Sequence, residues 1–281
     1  MIAPLLALTL QVGPAPTVEP ISPLPPEMQQ QREMSRRNAY VEVVTETSRL
    51  ARCLARTRTD PGGAVEEAEA WLAETSGAAD SSGRGDAGQC LGVAQVQLGQ
   101  RAAAAESFLA ARDATAADNF RGRALRGALA GGALLGEGDA AGALALLDQA
   151  QADADAAGEA TIRGQVAIDR AIALVALGRA GEAAAALEAA RTALPDNAQA
   201  WLLSATLARR AGDLAEAQAR IERAAVLAPL DPAVGLEAGV IAALAGRDEA
   251  AQRSWTSVIA AAPDSPEAAI AQGYLDQLES Q

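Results

Sequence analysis

Gly212 and Gly246 lie 34 residues apart, and so do Ala217 and Ala251, and Pro229 and Pro263. One step back on the same comb stand Gly178, Ala183 and Pro195. A fixed period of this length confines a chain to stacked units, since each unit has an apolar face that only its neighbours bury. Nothing in the sequence alternates with period two over a useful length. Alanine, the best helix former, supplies the larger part of the 50% hydrophobic residues. The predicted class is therefore all-α. Only 2% of residues are aromatic, so the core is thin and its helices must approach closely.

Counting repeats from 85, 124, 164, 198 and 232 gives five units: 85–118, 124–157, 164–197, 198–231 and 232–265. The first two frames rest on their glycines, because their spacings are 39 and 40. The fifteenth position is always glycine: Gly99, Gly138, Gly178, Gly212 and Gly246. Such a glycine ends a first helix, A, and opens the turn into a second, B. The eighth position is small: Gly92, Gly131, Ala171, Ala205 and Gly239. So is the twentieth: Ala104, Ala143, Ala183, Ala217 and Ala251. Helices A and B are expected to cross where these two columns meet. The twenty-fourth is large (Phe108, Leu147, Leu187, Ile221, Trp255) and is expected to fill the gap toward the next unit.

Upstream, 35–84 reads as a degenerate first helical repeat. A helix over 35–57 is followed by one that Asp60 caps and Pro61 opens. Residues 32–58 carry seven arginines against three glutamates, a solvated helix face. Residues 16–34 form a Pro/Gln-rich linker. Residues 1–15 are apolar, too short to span a bilayer, and similar to a secretory signal core without its basic flank. The other reading is an apolar N-terminus on a cytoplasmic protein. Downstream, 266–281 reads as a capping helix.

Ala198–Asp231 resembles a tetratricopeptide repeat. Trp201 is at the fourth position and Ala205 at the eighth, Gly212-Asp213 forms the turn, and Ala217, Ile221, Ala224 and Pro229 follow. Leu91-Gly92 matches the Leu-Gly pair of that family's helix A. The fourth position is small in the other units, and the eleventh is never tyrosine. The resemblance implies a right-handed superhelical solenoid of antiparallel helix pairs that binds protein or peptide partners. It also implies a concave groove lined by the second, fifth, ninth and twelfth positions of helix A. Here these include Gln89, Val93, Leu125, Ala128, Gly132, Leu135, Gln165, Ile168, Ile172, Val175, Leu202, Thr206, Arg209, Leu236, Val240 and Ala243. The lining is mostly apolar, which suits an apolar helix or extended segment. The opposing expectation is that superhelical winding buries these residues. The lysines and asparagines of a carboxylate clamp are missing from these positions.

Cys53 and Cys90 sit in matching contexts about one repeat apart. Stacked A helices would place them for a disulfide, and a bridge would favour an oxidising compartment such as the periplasm. Two buried thiols are the alternative. The chain has no histidine, so triads and His-containing metal sites are excluded, and no cofactor is expected. A net charge of −13 disfavours nucleic acid and anionic lipid. No nucleophile–base pair or phosphate loop appears, so the sequence points to a non-enzymatic binding scaffold. The alternative is an obligate structural or chaperone-like subunit of an envelope assembly.

Overall fold

The computed structural model describes residues 48–75 and 81–279. The apolar segment 1–15, the linker 16–34, the start of the first predicted helix, and residues 76–80 and 280–281 lie outside the described residues. From Arg49 onward the chain forms one compact unit. Among the described residues it is a run of helices without strands: α1 (Arg49–Arg56), α2 (Pro61–Glu74), α3 (Ser81–Gln97), α4 (Arg101–Ala114), α5 (Phe120–Glu137), α6 (Ala140–Ala157), α7 (Ala160–Ala176), α8 (Ala180–Ala193), α9 (Ala198–Arg210), α10 (Leu214–Leu227), α11 (Pro232–Leu244), α12 (Asp248–Ala261) and α13 (Pro266–Glu279). Odd-numbered helices are the A helices and even-numbered ones the B helices. Each helix packs on the next, and A helices also stack on one another: α1 on α3, α5 on α7, α9 on α11 and α11 on α13. No described helix is long and apolar enough to cross a membrane.

Local chemistry sets the helix ends. Gly99, Gly138, Gly178, Gly212 and Gly246 all have φ between 69° and 91°, the left-handed region that a side chain resists. The carboxylate or amide of Asp60, Asn119, Asp139, Asn197, Asp213 and Asp231 accepts from a free N–H in the first turn of the next helix. Asp60 accepts from Gly63 N at 2.8 Å and also meets Arg56; together they hold its carboxyl below the usual range. Pro195, Pro229 and Pro263 stop α8, α10 and α12, because the residue before a proline is pushed out of the helical region. Repeat 124–157 has Asp155 at that place. Its helix α6 therefore runs on to Ala157 and stops only at Gly158, φ 72°.

The loosened spacing has a matching cause at the other end of the pair. Helices α3, α5 and α7 begin at residues 81, 120 and 160, four before the points from which their repeats were counted. Each gains one helical turn, while α9 and α11 begin on the count. The turn glycine stays in register, so the extra residues lengthen helices without shifting the crossings.

The crossings add a partner to the sequence reading. The twentieth-position alanines are wholly buried, Gly131 faces the Ala143 carbonyl, and the eighth-position glycines also meet the large twenty-fourth residue of their own repeat. A Cβ on Gly92 would sit 2.5 Å from Phe108, one on Gly131 2.5 Å from Leu147, and one on Gly239 2.1 Å from Trp255. The large residue thus first fills the hollow beside its own helix A. It then reaches onward, as Phe108 shares a cluster with Ala130 and Ala133 of the next unit. Where the eighth position is Ala171 or Ala205, its counterpart is Leu187 or Ile221; the bulkier Phe108 and Trp255 face glycine.

Among the described residues the most deeply buried charges are paired. Arg112 donates to Asp153 at 2.7 and 3.1 Å, and Arg123 reaches the same carboxylate at 3.3 Å, tying α4, α5 and α6 together. Arg126 donates to Gln89, Thr115 and Asp86, and Arg191 to Ser204 and Glu188. Burial holds both of these guanidiniums below their ordinary pKa. The arginines on α1 are engaged too: Arg49 with Glu74, and Arg56 with Asp60 and Glu67. Cys53 on α1 and Cys90 on α3 are joined by a disulfide, Cα–Cα 6.1 Å.

Candidate functional site

Antiparallel pairs stacked in sequence put the A helices side by side on one face. Two apolar hollows open there. The larger, about 470 Å³, is walled by Val93 and Val96 of α3, Leu125, Ala128, Leu129, Gly132 and Ala133 of α5, and Gln165 and Asp169 of α7. Phe108 forms part of the wall from α4, and Arg101 stands beside it. The smaller, about 130 Å³, lies between α7 and α9 and is lined by Ile172, Val175, Leu203, Thr206 and Leu207. That volume suits one side chain; the larger hollow takes several. Openings of similar volume lie elsewhere: one is lined by Leu72, Gly88, Leu91 and Ser107, another by Gly181, Ala184 and Asp213, and a wider, more polar one lies beside Glu249 and Arg253.

The sequence-predicted groove residues separate into three groups. Val93, Leu125, Ala128, Gly132 and Gln165 meet at the larger hollow, and Ile172, Val175 and Thr206 at the smaller. Leu125 is 44% exposed, an unusual state for a leucine on an inner helix. A second group is consumed by packing. Ile168 is wholly buried with Ala167, Ala190 and Ala200, so it belongs to the core and is withdrawn from the groove. Leu135, Leu202, Leu236, Val240 and Ala243 pack against core clusters of the A-helix stack. A third group is tied up by hydrogen bonds: Gln89 with Arg126, and Arg209 with Glu237. Superhelical winding, the opposing expectation, therefore claims about half of the face.

The sequence reading missed Asp169, Leu129 and Val96. The first two occupy the sixth position of their helices, a column that reads Cys90, Leu129, Asp169, Leu203 and Glu237. Two acids among apolar residues were the available signal. Burial in the apolar wall holds the Asp169 carboxyl up to about 6, against a hydrogen bond from Gln165 that lowers it. A carboxyl whose folded pKa exceeds its unfolded value of 3.8 binds more protons when folded, so stability falls as pH rises from about 4 to about 6. Asp169→Asn is expected to raise stability at pH 7 by about 1–3 kcal/mol and to leave it unchanged near pH 4. Urea titrations at the two pH values check this.

Among the described residues no group of acidic or sulfur side chains is placed to hold a metal ion. No protein-family model matches the chain, and neither does any curated protein. Solved structures do resemble it. PilW, a widely conserved type IV pilus biogenesis factor, superposes with a TM-score of 0.63 at 21% identity, over 78% of this chain and 94% of that one. The pilF protein of Pseudomonas aeruginosa gives 0.62 at 16% identity, over 87% and 99%. A thermophilic tetratricopeptide-repeat protein of Thermus thermophilus gives 0.54 at 20% identity, over 66% and 95%. The turn glycines, the small-to-large crossings and these superpositions agree: the chain has the fold of the tetratricopeptide-repeat proteins, an all-α solenoid of helix pairs closed by a last helix.

Proposed function

We propose that the protein is a non-enzymatic interaction scaffold that receives an apolar segment of a protein partner in the hollow between α3, α5 and α7. The observation that carries this reading is the hollow itself. Its wall presents Val93, Leu125, Leu129 and Gly132 to solvent on the face where the A helices stack. Open apolar surface of this kind is retained where a partner covers it. The test uses Gly132, where an added Cβ meets nothing within 4 Å. Gly132→Leu fills the hollow without disturbing the core, and its helix gains propensity. It is expected to weaken binding of a leucine-rich peptide at least tenfold by fluorescence anisotropy with circular dichroism unchanged. Undiminished binding would place the partner elsewhere.

The disulfide favours an oxidising compartment, and we place the protein in the periplasm, with the cytoplasm as the alternative. The likeness to PilW, a type IV pilus biogenesis factor, supports the further reading of an accessory subunit in envelope assembly. Crosslinking in cells followed by mass spectrometry distinguishes an obligate from a transient partner.

A further inference from the structure

We infer that the partner segment carries a cationic side chain, arginine or lysine, next to its apolar anchor, and that this cation pairs with Asp169. The inference rests on the groove reading above and gives it a chemistry. Two repeats share one register. Glu237 occupies the sixth position of its A helix, and there it is held by Arg209, the twelfth position of the A helix before it. The contact is two-pronged, at 2.7 and 3.2 Å, and both side chains are largely buried. Asp169 occupies the same sixth position two repeats earlier. The twelfth position before it is Leu135, which has no charge to offer. The fold therefore builds an acid slot twice and supplies its cation once.

The unfilled slot opens on the hollow. Asp169 forms part of the wall, with Leu125, Leu129 and Gly132 beyond it. Its side-chain partner is the neutral Gln165, and burial outweighs that hydrogen bond in holding its carboxyl up. Among the lining residues the only cation is Arg101, and what acts on the Asp169 carboxyl is burial and the Gln165 hydrogen bond, not that charge. A carboxylate in a low-dielectric wall gains most from a charge that arrives with its own apolar stem. An arginine or lysine flanked by leucine or isoleucine has that shape, and an acidic segment is repelled.

The experiment uses the full chain and three labelled peptides of one leucine–alanine sequence that differ at a central residue: arginine, citrulline or glutamate. Anisotropy is read for the wild type, Asp169→Asn and Gly132→Leu, each checked for helicity. The expected result is at least tenfold tighter binding of the arginine peptide than of the citrulline peptide. Asp169→Asn removes that preference and keeps the citrulline affinity, while Gly132→Leu weakens both. Equal binding of arginine and citrulline peptides to the wild type, or a preference that survives Asp169→Asn, overturns the cation inference and leaves the groove reading intact. If no peptide binds the wild type, the groove reading falls and the inference falls with it.

Discussion

Breaking the Cys53–Cys90 bridge is expected to cost the N-terminal end of the array about 4 kcal/mol while leaving the C-terminal repeats untouched. The bridge closes a loop of 37 residues between α1 and α3. In the chain-entropy picture, a loop of that length destabilises the unfolded ensemble by about that amount. Among the described residues, the eight of α1 are otherwise held by a small apolar cluster of Leu50 and Cys53 with Ala68 and Leu91, by Arg49 over the Trp71 ring, and by exposed pairs such as Arg49–Glu74 and Arg56–Glu67. Exposed pairs of this kind contribute little. A solenoid distributes stability by nearest neighbours, so the loss stays local. Hydrogen exchange on Cys53→Ser/Cys90→Ser should therefore report lost protection through α1 and α2 and native protection from α7 onward. Unchanged protection in α1 would refute the assignment. Uniform loss along the chain would mean that the array unfolds as one unit.

Trp255→Ala carries the other large effect, about 3–5 kcal/mol, because it empties the last crossing. Trp255 is 3% exposed and stacks on Tyr274 of α13 at 5.0 Å between ring centroids. Its indole N–H donates to the Leu236 carbonyl at 3.2 Å. The same side chain thus fills the space beside Gly239 and seats the closing helix. Size complementarity makes a sharper forecast. Gly239→Ala alone drives a methyl into the indole and should cost about 1–3 kcal/mol. Trp255→Ile alone leaves a cavity. The double variant reproduces the pairing of Ala205 with Ile221 found one repeat earlier. It should be more stable than the sum of the single effects by about 1–2 kcal/mol, since residues in contact couple. Additive losses in a denaturation cycle would show that the eighth and twenty-fourth positions are independent.

The hollow between α3, α5 and α7 has the opposite character from these crossings. There, small residues leave space that no large neighbour fills. Gly92 and Gly132 lie on the A helices α3 and α5 and look alike as letters. A Cβ on Gly92 strikes Phe108, whereas one on Gly132 meets nothing. The first makes core and the second makes a site. The same division separates Ile168, wholly buried, from Leu125, exposed on the neighbouring helix.

Much of this molecule follows from local rules that the sequence states directly. A glycine once per repeat, 34 to 40 residues apart, fixes a left-handed turn. An aspartate or asparagine caps six of the described helices, and a proline ends three by steric exclusion. These acts involve residues within a few positions of each other, so period and helix pairing are legible from the letters alone. The placement of Cys53 and Cys90 at like points of neighbouring units was legible for the same reason. Which A-helix residues face open space was not. That depends on how far each helix pair rotates against the next, on the added turn of α3, α5 and α7, and on which long side chain reaches a given gap. Asp169 and Glu237 read alike in the sequence. Only the packed A helices reveal that Arg209 neutralises Glu237 while Asp169 meets neutral Gln165, because contact between neighbouring repeats is a property of the stacked array.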